Sequence, residues 1–269
     1  MVRQSTKQVL GAAALAALLP CAHAAPAATP PATAPVLLAA GSLRQAMTEV
    51  LAAWIDAGGA RVQTDYGPSG KLRKEIEAGR AADVFASASP EHTDALARQG
   101  LFGGGQVFAH NDLCIVSTRA AGLGADNLAE ALARPDLRLA TSTPGSDPMG
   151  DYTWQFFRKL DARRPGLYAA LDARALKLSG AASLPAESTL PYIAAFRDDK
   201  ADAYIMYCTN AVLTQQAIPA LQLLRIPDEL NVRSAYAIAV RKGSQEGERL
   251  LRFVLGAPAQ AILRKYGFQ

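Results

Sequence analysis

The chain has 269 residues, of which half are apolar and 19% are charged, and its formal net charge is +4. This composition is typical of a folded globular protein, and the length allows one large domain or two of average size. The sequence has no run of Lys and Arg and no stripe of alternating basic and aromatic residues. These features argue against nucleic acid as a partner.

The N-terminus has the pattern of an export signal. Arg3 and Lys7 give a positive start, residues 9–19 form a short apolar core, and Ala22-His23-Ala24 fits a small-residue cleavage site. We therefore predict a signal peptide over residues 1–24 and a periplasmic location. A lipid anchor at Cys21 is the less favoured alternative, because Pro20 is a poor residue before a modified cysteine. Residues 25–35 are rich in Pro and Ala, which predicts a tether.

From residue 36 onward, helical and strand periodicities alternate along the chain. The predicted elements are strand 36–40, helix 43–55, strand 61–66, helix 72–78, strand 83–86, helix 90–99, strand 113–117, helix 128–133, strand 138–141, helix 152–160, a helical stretch 165–176, helix 190–196, strand 203–207, a helix to about 216, strands 221–226 and 235–240, and helices 245–255 and 258–266. This order predicts an α/β fold with mostly parallel sheets that are covered on both faces.

Five short polar or Gly-rich turns stand directly before helix-like segments. They are Ala40-Gly41-Ser42, Gly67-Pro68-Ser69-Gly70, Ser146-Asp147-Pro148-Met149-Gly150, Glu187-Ser188-Thr189 and Tyr207-Cys208-Thr209. The start of a helix exposes unpaired N–H groups and carries a partial positive charge, so several starts that converge make an anion site without Lys or Arg. The turns predict capture of a small oxyanion without catalysis.

The order of several motifs resembles that of the periplasmic molybdate-binding proteins of ABC importers, which have tungstate-binding relatives. The similar stretches are Leu38-Ala39-Ala40-Gly41-Ser42-Leu43, Tyr66-Gly67-Pro68-Ser69-Gly70-Lys71-Leu72, Ala82-Asp83-Val84-Phe85-Ala86, Asp147-Pro148-Met149-Gly150-Asp151-Tyr152, Ala186-Glu187-Ser188-Thr189, Ile205-Met206-Tyr207 and Arg264-Lys265-Tyr266-Gly267-Phe268. The resemblance spans about residues 36–269. It implies a two-lobe periplasmic-binding-protein fold (type II), with the ligand cleft between lobes that are joined by two crossing strands.

The resemblance also implies how the chain is divided and which groups hold the ligand. Lobe 1 would comprise residues 36–112 and 234–269, and lobe 2 residues 113–233. The oxyanion would be held by two serine hydroxyls, two backbone N–H groups and one tyrosine hydroxyl, which correspond to Ser42, Ser69, Met149, Thr189 and Tyr207. Uncharged donors suit a fully deprotonated anion, because they present no lone pair to it when they donate.

Two carboxylates leave the coordination of the ligand open. Asp147 and Glu187 each lie two residues before an expected backbone donor. A carboxylate repels a dianion unless it bonds the metal centre directly, as in some tungstate-binding relatives. We favour tetrahedral coordination over six-fold coordination with Asp147 and Glu187 as direct ligands.

Other interpretations stay open from the sequence alone. The ligand could be sulfate, phosphate or a metal complex, and a periplasmic serine hydrolase is a less favoured alternative, with His92 or His110 as its base. Cys114 and Cys208 could form a disulfide or remain two buried thiols. The expected partner is the membrane permease of an importer, and we expect a monomer with no cofactor beyond the transported ligand.

Overall fold

The structure is a computed structural model that describes residues 1–2, 34–181 and 190–269. The predicted signal peptide, most of the tether, Glu187 and Thr189 therefore lie outside the described residues. From Ala34 to Gln269 the described chain forms one compact unit.

In this part of the chain the strands form two five-stranded sheets. The first sheet has the order β2-β1-β3-β10-β4, and its strands are β1 (Val36–Ala40), β2 (Gln63–Gly67), β3 (Val84–Ser87), β4 (Gln106–Asn111) and β10 (Ser234–Val240). The second sheet has the order β7-β6-β8-β5-β9, and its strands are β5 (Leu113–Ser117), β6 (Leu139–Ser142), β7 (Leu176–Ser179), β8 (Ala203–Tyr207) and β9 (Gln222–Arg225). We call the parts built on the first and second sheet lobe 1 and lobe 2.

Helices follow most strands of both sheets. They are α1 (Arg44–Asp56), α2 (Ser69–Glu77), α3 (Pro90–Arg98), α4 (Leu128–Ala133), α5 (Pro148–Arg163), α6 (Leu167–Arg174), α7 (Pro191–Arg197), α8 (Cys208–Ala217), α9 (Gln245–Leu255) and α10 (Ala257–Lys265). Side-chain caps fix several starts: the Ser89 and Ser244 hydroxyls accept N–H groups of α3 and α9, and the Asp147 carboxylate accepts one of α5. Buried apolar residues on β1, β3, β5, β8 and β10 form the centre of each lobe.

The α/β class is confirmed, but the sheets are mixed rather than mostly parallel. β1 pairs in parallel with β2 and β3, whereas β10 is antiparallel to both β3 and β4. In the second sheet β5 is antiparallel to both β8 and β9. The prediction also missed β4, and it missed β7 because the helical stretch 165–176 was extended into it. β7 is short and only partly buried, so its periodicity is weak.

Two chain segments cross between the lobes and lie side by side. β4 ends at Asn111 in the first sheet and β5 begins at Leu113 in the second. The Asn231 side chain bonds both the N–H and the C=O of Leu113 at 3.0 Å, and the Ser234 hydroxyl donates to the Asn111 carbonyl at 2.8 Å. Because β10 returns to the first sheet in the opposite direction to β4, these two strands pair antiparallel.

The structure resolves the alternative that the sequence left for the two cysteines. Cys114 of β5 and Cys208 at the start of α8 form a disulfide, with their Cα atoms 4.8 Å apart. Both residues are buried. The bond ties the start of α8 to the neighbouring strand of the second sheet.

Among the described residues, no helix has both the length and the apolar character that are needed to cross a membrane.

Candidate functional site

A cavity of about 210 Å³ lies between the lobes, beside the ends of strands β1, β2 and β8. Lobe 1 contributes the turns after β1 and β2, and lobe 2 contributes the starts of α5, α7 and α8. The described residues that line it include Gly41, Ser42, Gly67, Pro68, Asp147, Met149, Gly180, Tyr192, Tyr207 and Asn210. Ligands of open α/β sheets bind at such strand ends.

The structure brings four of the predicted site residues to this cavity. Ser42, Asp147, Met149 and Tyr207 line it. Ser69 is not among its described lining residues, although it begins α2 next to Pro68, which is one of them. Thr189 and Glu187 lie outside the described residues, so their assignments stay predictions.

Ser42 lies in the 3-10 turn that joins β1 to α1. This turn gives Ser42 no capping bond to the helix. Its Oγ instead lies 2.8 Å from the hydroxyl of Tyr236. The Ser42 side chain is half-buried, so it connects the cavity wall to the interior.

Tyr207 is the last residue of β8 and is 2% exposed. Its hydroxyl has no hydrogen-bond partner among the described residues. Burial raises the pKa of Tyr207 well above its ordinary value, so the phenol keeps its proton at neutral pH. A buried hydroxyl with an unused proton at a cavity wall is suited to donate to an anion.

Asp147 occupies the start of α5 and faces the expected ligand position. Its Oδ1 accepts the Met149 N–H at 3.2 Å, so this expected ligand donor is already used. Loss of contact with water raises the pKa of Asp147 to about 6, while the Met149 N–H and the Ser142 hydroxyl partly oppose the rise. The carboxylate keeps some exposure to the cleft.

Gly180 packs directly against Asp147, and it was not identified from the sequence as a site residue. It has a φ of +82°, and a Cβ there would stand 2.7 Å from the Asp147 Cβ and 3.0 Å from its Oδ2. Any larger residue at this position would displace the carboxylate. The wall of the cavity at α5 is thus built around Asp147.

Ser69 and the start of α2 make contacts within lobe 1 and with lobe 2. The Ser69 hydroxyl accepts the Ala88 N–H at 3.1 Å, and the side chain is 1% exposed. The next N–H group, that of Gly70, donates to the Ser146 carbonyl of lobe 2 at 3.0 Å. Nearby, the Tyr152 hydroxyl donates to the Ala88 carbonyl at 3.3 Å. In this structure the start of α2 therefore joins the lobes at the edge of the cleft.

The arrangement offers no pairing of a nucleophile with a base in the described part of the cavity. Its described lining contains no His, Cys or Lys, but it does contain Arg44 at the start of α1, so the expectation of an anion site without Lys or Arg was wrong. Ser42 is paired with a tyrosine and Ser69 with a backbone N–H. Neither His92 of α3 nor His110 of β4 is among the described residues that line the cavity. The described residues also contain no group of three or more His, Cys, Asp or Glu that could hold a metal ion.

Two α/β lobes with a cavity between them are the arrangement found in solute-binding proteins. The sequence model of the bacterial extracellular solute-binding protein family matches residues 36–269, and the chain belongs to this family.

Among proteins of similar sequence, some are uncharacterized and others are named as molybdate-binding proteins. The uncharacterized protein PM1146 of Pasteurella multocida is 35% identical over 240 residues, which cover 86% of this chain and 97% of that protein. The molybdate-binding protein ModA of Mycobacterium tuberculosis is 28% identical over 272 residues, which cover 97% of this chain and 95% of that protein.

Solved structures confirm the two-lobe fold. The periplasmic molybdate-binding protein of Azotobacter vinelandii superposes with a TM-score of 0.68 at 21% identity, covering 87% of this chain and 98% of that one. The sulfate-binding protein SubI of Mycobacterium tuberculosis gives a TM-score of 0.71 at 19% identity, covering 88% and 86%. Because both identities are low, the superpositions establish the fold and leave the ligand to be argued from the site.

Proposed function

We propose that the protein captures molybdate, and tungstate with it, for delivery to the permease of an ABC importer. The observation that carries this proposal is the placement of two uncharged hydroxyls, Ser42 from lobe 1 and Tyr207 from lobe 2, on one cavity. The molybdate-binding relatives support this choice of ligand. The protein binds and releases its ligand without turnover and holds no resident cofactor.

The proposal includes the route of the protein to its partner. The segment 1–24 directs export and is removed, and the mature chain acts in the periplasm as a monomer. Movement of the lobes about the two crossing segments closes the cleft on the ligand and presents both lobe surfaces to the permease.

Hydrogen phosphate is the second candidate ligand, and one observation favours it. Asp147 lines the cavity and holds its carboxylate on the Met149 N–H. A carboxylate is a pure acceptor, so it would bind a ligand that carries a proton and would oppose one that does not. Molybdate remains our first choice because the sequence relatives that are named for a ligand are molybdate-binding proteins and because the donors Ser42 and Tyr207 suit it.

The test is calorimetric titration of the mature chain with molybdate, tungstate, sulfate and phosphate in turn. Tight one-to-one binding of molybdate and tungstate alone is the expected result. Binding of phosphate alone would replace the ligand and keep the class of protein. Failure of all four to bind would contradict oxyanion capture.

A Ser42→Ala variant tests the site itself. The change removes one hydrogen bond to a charged ligand, so we expect molybdate binding to weaken by about 1–3 kcal/mol, or roughly five- to 150-fold. Thr118→Ala removes a half-buried hydroxyl that neither caps a helix nor lines the cavity, and it serves as the matched control, with unchanged affinity. An unchanged Kd for Ser42→Ala would refute the assignment of Ser42.

A further inference from the structure

Tyr236 is a buried tyrosine that lies directly behind Ser42. We propose that Tyr236 is a positioning residue for the oxyanion: it donates its hydroxyl to Ser42 and thereby directs the Ser42 proton into the cavity. The inference rests on the proposed function, because it concerns the same site. Tyr236 is not among the described residues that line the cavity, so it would act through Ser42.

The position of the Tyr236 hydroxyl is fixed by packing on several sides. Tyr236 is fully buried on β10, one of the strands next to the crossing between the lobes. Its ring lies 5.3 Å from that of Phe268, 5.6 Å from that of Tyr207 and 6.4 Å from that of Phe108. A ring held by three aromatic neighbours has little freedom to turn, so its hydroxyl stays on Ser42.

Either hydroxyl of this pair can donate, and Asn111 and Tyr207 also lie beside the Tyr236 hydroxyl, so we assign the direction from what the ligand requires. Each hydroxyl has one proton to donate, and a deprotonated oxyanion offers only lone pairs. If Ser42 donated to Tyr236, its lone pairs would face the anion and repel it. If Tyr236 donates to Ser42, the serine proton is free for the ligand. Tyr236 can keep this role at neutral pH, because burial raises the pKa of its phenol far above the ordinary value.

The same strand therefore supports the ligand donors of both lobes. Tyr236 reaches Ser42 of lobe 1 through a 2.8 Å hydrogen bond and contacts Tyr207 of lobe 2 through its ring. Chains of hydrogen bonds polarise one another, so the Tyr236 bond also strengthens Ser42 as a donor. The loss of Tyr236 donation should weaken ligand binding even though Tyr236 does not touch the ligand.

A double-mutant cycle on oxyanion binding tests this inference. The mature wild-type chain, Tyr236→Phe, Ser42→Ala and the double variant are titrated with molybdate. Tyr236→Phe keeps the ring and its packing, and we expect it to weaken binding by roughly tenfold. The double variant should bind no more weakly than Ser42→Ala alone, because the two residues act as one donor unit.

The cycle separates failure of this inference from failure of the proposed function. If the wild-type chain binds none of the four oxyanions, both the proposed function and the role of Tyr236 are wrong. If it binds molybdate and Ser42→Ala weakens binding, but Tyr236→Phe binds like the wild type or the two losses add, the inference alone is wrong. Tyr266→Phe, which removes a hydroxyl bonded to Glu49 outside the cavity, is the control that should leave affinity unchanged.

A second variant covers the case in which Tyr236→Phe does not fold. Incorporation of 3-fluorotyrosine at position 236 keeps the ring and the hydroxyl and makes the phenol more acidic, hence a better donor. We expect molybdate affinity to rise. A fall in affinity with an unchanged thermal midpoint in the absence of ligand would overturn the proposed direction of donation.

Discussion

At the scale of single residues, the charge of Asp147 affects how strongly the cavity can bind an anion. It is the only carboxylate among the described residues that line the cavity. Its Oδ1 holds the Met149 N–H, and its pKa is raised to about 6. Near neutral pH a dianion therefore meets a negative charge at the start of α5, where the helix would otherwise attract it, and the positive charge of Arg44 on the lobe 1 side of the cavity.

We expect the affinity for molybdate to rise as the pH falls from 8 towards 6. Protonation of Asp147 removes the opposing charge, and a neutral carboxyl can donate to the ligand. Asp147→Asn should bind molybdate roughly tenfold more tightly at pH 8 and should show a flatter pH profile. Calorimetry at several pH values measures both effects. Weaker binding by Asp147→Asn would instead indicate direct coordination of the metal centre by this carboxylate.

The raised pKa of Asp147 predicts how the stability of the unliganded protein changes with pH. Between the ordinary value near 3.8 and about 6, the folded chain holds a proton on Asp147 that the unfolded chain has lost. Because the folded state binds more protons in this window, its stability falls as the pH rises through it. Thermal melting from pH 4 to pH 7 should show this fall reduced in Asp147→Asn.

At the scale of elements, the disulfide ties β5 to the start of α8. It joins residues 94 positions apart. A cross-link that closes so long a loop restricts the unfolded chain strongly. It also lies next to Tyr207, so the same bond helps to hold the strand end that carries this donor.

We expect removal of the disulfide to destabilise the protein by about 2–4 kcal/mol. The paired change Cys114→Ser with Cys208→Ser should lower the midpoint of denaturant unfolding. Reductant should lower the midpoint of the wild-type chain and leave that of the variant unchanged, which makes the variant its own control. Equal midpoints for the oxidised wild type and the variant would contradict this role.

At the scale of the whole molecule, the lobes meet at the start of α2. Gly70 donates its N–H to the Ser146 carbonyl, and no side chain fits between them. A Cβ on Gly70 would stand 2.8 Å from the Gly145 oxygen and 2.9 Å from the Ser146 oxygen. Both oxygens belong to the backbone, so a larger residue would force the lobes apart.

We expect Gly70→Ala to weaken oxyanion binding by at least about tenfold, because ligand capture requires the lobes to approach. Small-angle scattering should show that the ligand compacts the wild-type chain and fails to compact the variant. Gly104→Ala is the matched control, since a Cβ at Gly104 meets nothing within 4 Å. Normal binding and compaction by Gly70→Ala would show that this contact is dispensable.

The sequence by itself determined the class of fold and the location of most elements. Strand β8 at 203–207 and helix α9 at 245–255 were predicted with the observed bounds, because long buried runs and amphipathic spacing are local signals. The turns before α2, α5 and α8 were also identified in advance, since polar residues at helix starts have a local cause.

Only the tertiary structure decided which groups meet. The contact between Ser42 and Tyr236 joins residues 194 positions apart, so a local sequence pattern cannot predict it. The use of the Met149 N–H by Asp147, the fit of Gly180 against that carboxylate and the antiparallel pairs of β10 likewise depend on how distant segments pack. Periodicity along a chain reports which side of an element is buried, whereas the partners across a cleft are set by the path of the chain between the lobes.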